Sequence, residues 1–186
     1  MMEKKCGLEL SNTITDFKDG DLKTIKMGER YKESSFALTM LNSWIDKILQ
    51  DKILPFQDTR LHKKTENFIL MFVNKDDKNA LNWFFRKCSL YNASQGTPLY
   101  NKLKSDYYAI SQKLKKCLQD PSKMIHTTDA GKDSIIQIRT KGIGKGKDKS
   151  IYSNVFKRNI TNNQSLAFYI KRVNFLKFNN ENIKYE

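Results

Sequence analysis

Between Leu99 and Leu118 apolar side chains return at Leu99, Leu103, Tyr107, Ile110, Leu114, Cys117 and Leu118. That three-and-four spacing lays a single stripe along a helix, with lysines on the other faces. Pro121 follows and cannot continue it. The pattern predicts a structural helix over Leu99–Leu118. The fold class expected is α/β.

Asp21–Lys26 reads as the first strand and Ser34–Met40 alternates well enough to be the second. Leu41, Trp44, Ile45, Ile48 and Leu49 have helical spacing over 41–53, a face for core packing, and Pro55 stops it. A basic knot, Arg60-Leu61-His62-Lys63-Lys64, precedes the apolar run Phe68–Val73, which has the length of a buried strand. Trp83-Phe84-Phe85 and Leu90-Tyr91 point to a further strand, and Asn92–Pro98 to a loop. Ser134–Thr140 and Leu166–Ile170 read as the last strands, with a short segment over Arg172–Phe178 and a frayed tail from Asn179. No internal repeat interrupts this order. The 186 residues are expected to form a single domain, with catalytic strands over 14–75, the structural helix over 99–118 and nucleic-acid-contacting strands and loop over 134–178.

Lys and Arg number 34 against 20 Asp and Glu, a formal charge of +14. An excess of that size in one domain points to a polyanionic partner, most directly nucleic acid, with a basic housekeeping protein as the competing reading. The basic residues crowd toward one end: from Arg139 to Arg172 there are nine Lys or Arg and one acid, Asp148. Within this stretch Lys141-Gly142-Ile143-Gly144-Lys145-Gly146-Lys147 is too irregular for a nucleotide-binding P-loop. It reads either as an ordinary flexible loop or as one whose Lys145 and Lys147 track phosphates. Cys6, Cys88 and Cys117 lack metal-ligand spacing and read as reduced thiols. His62 and His126 are the only histidines and form no cluster, so zinc or Ser-His-Asp chemistry is not expected. Met1–Leu10 has no signal-peptide core and no run would span a bilayer, which points to a cytoplasmic protein.

The chemistry-bearing stretch is Asp16-Phe17-Lys18-Asp19-Gly20-Asp21-Leu22-Lys23-Thr24-Ile25. On an extended strand Asp21 and Lys23 share a face, and a turn at Gly20 would fold Asp16 back toward them. Two carboxylates and an ammonium are what metal-assisted phosphodiester hydrolysis uses. Asp16 and Asp21 would hold Mg²⁺, with Mn²⁺ as a substitute. Lys23 would orient the water and offset charge on the phosphorane. The competing reading of the same residues is a charged turn leading into an exposed strand edge. Glu3 or Glu9, on an opening helix, could lend a further carboxylate.

Taken in order, three segments resemble the MutH-type endonucleases, the mismatch-repair strand nickase and its relatives among type II restriction enzymes of the PD-(D/E)xK class. Asp16-Phe17 followed by Gly20–Ile25 is similar to that family's Asp…Glu-x-Lys segment. His62-Lys63-Lys64 before an apolar strand resembles the stretch carrying a second active-site lysine, which falls on Lys63. Ile136–Lys141 and Ala167–Lys171 resemble its two C-terminal DNA-reading strands. The resemblance spans residues 14 to 178 and implies a restriction-endonuclease-like core, a central mixed β-sheet flanked by helices. It also implies metal binding by Asp16 and Asp21, water positioning by Lys23 and transition-state stabilisation by Lys63. Contacts to double-stranded DNA would come from Arg139, Lys141, Tyr169 and Lys171.

Three departures accompany it. The spacer between the acids is two residues shorter than in the family, Asp21 stands for a glutamate, and Thr140 stands for a proline in the recognition strand. The expectation is a Mg²⁺-dependent endonuclease that cuts one strand per active site. It would be the cleavage subunit of a heterodimeric restriction enzyme, or a chain that self-associates on DNA to cut both strands. The rival readings are a mismatch-repair nickase, an inactive basic DNA-binding module, and an RNA-associated or ribosome-bound protein.

Overall fold

The structure, a computed structural model, describes residues 15–17, 20–28, 34–141 and 150–181. Among these it is a mixed α/β fold, but not one built on a single central sheet as expected. A three-stranded mixed sheet has the order β1-β3-β4, formed by Asp21–Met27, Asn67–Asn74 and Phe84–Asn92. In it β1 runs parallel to β3, and β4 antiparallel. A separate four-stranded antiparallel sheet has the order β2-β9-β6-β5, formed by Ser35–Met40, Ser165–Lys171, Ile136–Lys141 and Thr128–Asp129. Tyr152–Ser153 (β7) and Arg158–Asn159 (β8) make a small ribbon. β1 and β2 approach at the seam between the two larger sheets without forming a ladder among the described residues. A register shift between Ala37 and Thr39, on the β2 side of the β2–β9 ladder, bends β2 locally.

The long helix, α3, runs Pro98–Leu118, one residue earlier than its apolar pattern indicates. Pro98 occupies the first turn, where a missing N–H costs nothing, and Thr97 Oγ1 accepts the Tyr100 N–H at 3.1 Å. Leu99, Leu103, Tyr107, Ile110, Leu114 and Leu118 are buried, whereas Cys117 is only half-buried. This face packs on β5 and β6. The Asp106 carboxylate ties it there by accepting the Ile135 N–H at 2.7 Å. Burial raises the pKa of the Tyr107 phenol, so the group stays protonated; it donates to the Leu54 carbonyl at 2.8 Å.

The helix expected over 41–53 is shorter, Ile45–Leu49 (α1). Trp44 offers no side-chain cap and Gln50 is already extended, so propensity alone cannot prolong it. The basic knot is itself a helix, Arg60–Thr65 (α2), capped by Thr59 Oγ1 accepting the His62 N–H at 3.0 Å. The run Phe68–Val73 lies within a strand that is half-buried rather than covered on both faces. Phe68, Leu70 and Phe72 point into the core, while Ile69, Met71 and Val73 point the other way. Trp83 falls just before β4, not in it. Arg172–Phe178 is a helix (α4). The chain beyond it is anchored as far as Glu181, whose carboxylate receives Lys87 Nζ at 2.7 Å and the Tyr91 hydroxyl.

Candidate functional site

β1 begins where the chain reverses. Phe17 and Gly20 exchange backbone hydrogen bonds of 2.8 and 3.2 Å, closing a tight loop. Gly20 is required at this point because β3 lies directly against it: a Cβ there would sit 2.3 Å from the Asn67 carbonyl oxygen. The reversal brings Asp16 back onto Asp21. The Asp16 N–H donates to Asp21 Oδ1 at 3.2 Å, and Asp16 Oδ2 accepts the Leu22 N–H at 3.0 Å. The Asp21 carboxylate is thus tied to the backbone of Asp16, and the Asp16 carboxylate to the backbone of Leu22, the residue after Asp21.

Strand alternation then sets Asp21, Lys23 and Ile25 on one face of β1. Asp21 is fully buried, and its carboxylate meets two ammonium groups. Lys23 Nζ contacts Oδ2, and Lys64 Nζ contacts Oδ1 at 3.0 Å. Lys23 Nζ also lies 3.9 Å from Asp16 Oδ2. Partial burial pushes the Asp16 carboxyl up. The Leu22 hydrogen bond, the Asp21 contact and the charges of Lys23 and Lys64 outweigh that, and hold it below the ordinary aspartate value.

Lys63, the lysine expected here, is exposed on α2. One residue turns a helix by about 100°, so neighbouring lysines cannot both face β1. Leu61 and Thr65 are buried, and Lys64 lies three residues after one and beside the other, on the inward face. The signal was present in the sequence as the position of Lys64 relative to Leu61, not as the order of the two lysines.

The donor set suits a hard divalent cation. Asp16 and Asp21 supply only oxygen, and Mg²⁺ takes one or two carboxylates and fills the remaining positions with water and phosphate oxygens. Among the described residues no group of three or more His, Cys, Asp or Glu converges on one point. Both oxygens of Asp21 are in contact with lysines, so a cation reaches this carboxylate only when an ammonium moves aside. Glu3 and Glu9 lie outside the described residues.

The residues expected to touch DNA belong to the other sheet. Gln137, Arg139 and Lys141 alternate outward on β6, and Tyr169 and Lys171 on β9. Tyr169 stands opposite Gln137 on one side and Ala37 of β2 on the other. Arg139 reaches across this face: its Nη1 donates to Ser35 Oγ at 2.7 Å, and its guanidinium lies 5.3 Å from the Tyr169 ring centroid. Lys171 pairs with Asp129 of β5 at 2.9 Å. Lys141 is exposed, while Lys145 and Lys147 lie outside the described residues. Ile136, Ile138, Phe168 and Ile170 point to the opposite, buried face. Sequence reasoning identified the cations here but not their positioning partners Ser35 and Asp129, which come from strands remote in the chain.

No helix among the described residues is long and apolar enough to cross a membrane. Compared with known proteins, the sequence matches no family model and no curated protein.

Proposed function

We propose that the chain is a Mg²⁺-dependent endonuclease of restriction-endonuclease-like type, hydrolysing phosphodiester bonds in double-stranded DNA one strand at a time. The observation that carries this reading is the convergence of Asp16, Asp21, Lys23 and Lys64 at the start of β1. A structural ion pair needs one acid and one base. Here two acids are locked together by backbone hydrogen bonds, and two ammonium groups are brought onto one of them from separate elements.

Bound at Asp16 and Asp21, Mg²⁺ would polarise the scissile phosphate and lower the pKa of a water at neutral pH. The protein's own groups would do the rest. Displaced from Asp21, the Lys23 ammonium is placed to hold the attacking water. Lys64 is placed to offset negative charge developing on the phosphate. The outward face of the four-stranded sheet, with Arg139, Lys141, Tyr169 and Lys171, would hold the duplex. The +14 charge of the chain favours that association. One site cuts one strand, so a double-strand break needs a second site, from another copy or a different subunit.

Supercoiled plasmid incubated with the full chain and Mg²⁺ tests the reading. Conversion to open circles that stops with EDTA, and that Lys23→Ala and Asp21→Asn abolish, is the expected result. A second reading is favoured by one observation, the capping of both Asp21 oxygens by lysines: a basic module that binds DNA with a self-neutralised, silent site. Duplex binding with no nicking in Mg²⁺ or Mn²⁺, with or without a partner subunit, would select it.

A further inference from the structure

The outward face of the four-stranded sheet contains a shallow recess, lined by Gln137, Arg139, Lys171, Thr127 and Asn174. Most of its long polar side chains are already committed. Arg139 is tied to Ser35, Lys171 to Asp129, and Asn174 Nδ2 to the Lys132 and Ser134 carbonyl oxygens at 2.7 Å each. Gln137 differs. It sits between Asp129 on β5 and Tyr169 on β9 and is half-buried. Its carboxamide makes no hydrogen bond to another described residue.

We propose that Gln137 is a sequence-reading residue, presenting its carboxamide to an adenine edge in the major groove of duplex DNA. This rests on the reading of the chain as one that acts on DNA. A carboxamide offers one donor and one acceptor side by side, the complement of adenine N7 and N6. Neighbouring cations contact phosphates or a guanine edge, which fixes register without duplicating that pattern. The residue two positions along the strand, Arg139, is held in one direction by Ser35 and by the Tyr169 ring. It therefore reaches the duplex with little freedom left to lose. Side chains carried on strands are an established way of reading a groove. Gln137 and Arg139 would read neighbouring base pairs, adenine and guanine, from one strand of the protein.

The test selects bound sequences from a randomised duplex library with the full chain in EDTA, so that no cleavage is involved. Wild type is expected to enrich a motif containing an invariant adenine beside a guanine. Gln137→Ala should lose the preference for the adenine alone, with affinity for the wild-type motif falling about tenfold. Gln137→Glu should shift the preference at that position toward cytosine, whose amino group a carboxylate accepts. Arg139→Ala should relax the guanine position instead. An unchanged motif with Gln137→Ala, or wild-type binding without any sequence preference, would overturn the proposal. The outcomes separate it from the nuclease reading. Nicking by wild type with a motif indifferent to Gln137 leaves the enzyme standing and removes the reader. Selective binding that depends on Gln137, without nicking in Mg²⁺, does the reverse.

Discussion

Lys64 Nζ lies 3.0 Å from Oδ1 of the fully buried Asp21, while the adjacent Lys63 points to solvent. The two lysines are next to each other in sequence and differ entirely in what they touch. Lys64→Ala is therefore expected to lower plasmid nicking by about 100-fold or more, the scale of losing one donor to a charged transition state. Lys63→Ala should remain within about threefold of wild type, as a surface charge not facing the site. Initial nicking rates of the two variants, with their melting curves overlaid, make the comparison. Equal loss in both would mean that the lysines act only by attracting DNA.

Because the ammonium groups of Lys23 and Lys64 occupy the oxygens a cation would use, the proposed metal would compete with the lysines for Asp21. Removing Lys64 should tighten Mn²⁺ binding even as nicking falls, and Asp21→Asn should weaken it below detection. Mn²⁺ titration followed by electron paramagnetic resonance reads both without turnover. Weaker binding in Lys64→Ala would show that this lysine supports the metal site instead of contesting it.

Gly20 is placed against the Asn67 carbonyl with no room for a methyl group. Gly20→Ala must part β1 from β3 or distort the Phe17–Gly20 reversal, and either displaces Asp16 from Asp21. A loss of about 1–3 kcal/mol in stability is expected, the range for overpacking a tight contact. Nicking should fall more than the melting temperature alone explains. Thermal melts and rates measured well below the transition separate the two effects.

At the far edge of the same sheet, Glu181 is buried enough to raise its pKa. The bonds from Lys87 and the Tyr91 hydroxyl, with the Lys87 charge, bring it below the ordinary 4.5. Burial and the Glu181 contact in turn raise the pKa of the Tyr91 phenol. A carboxyl whose folded value is depressed stabilises the fold above its unfolded value, and that contribution disappears as pH falls through the folded value. Glu181→Gln should thus cost stability near neutral pH, about 1 kcal/mol or less given the exposed Lys87. The difference from wild type should shrink as pH falls below 4.5 and vanish once pH passes the depressed folded value. Paired melting curves across that interval check it.

Local pattern carried much of this architecture. The stripe from Leu99 to Leu118 determined a helix because its residues are buried by their own periodicity, whatever lies opposite. The Asp-x-Lys strand and the turn that returns Asp16 were equally readable, since alternation and a glycine reversal are short-range. Harder to see was which surface each element meets. Whether β2 pairs with β1 or with β9 depends on partners more than a hundred residues apart, and the pattern of Ser35–Met40 is the same in either case. Lys63 and Lys64 are indistinguishable by composition, and only the helix in which they lie, read from the sequence simply as a basic knot, tells them apart. Ser35 and Asp129 were invisible as site residues for a related reason. A hydroxyl or a carboxylate acquires a role when another strand delivers an arginine or a lysine to it.

The division into two sheets has a bearing on how such a chain can change over generations. Asp21 and Lys23 hang from one hydrogen-bonded ladder; Gln137, Arg139 and Tyr169 hang from another, and no ladder joins the two among the described residues. Substitutions that retune the outward face of the second ladder need not disturb the carboxylates on the first. On the proposed reading, a lineage could drift from one target word to the next while its chemistry stayed fixed, a freedom that a single continuous sheet would restrict.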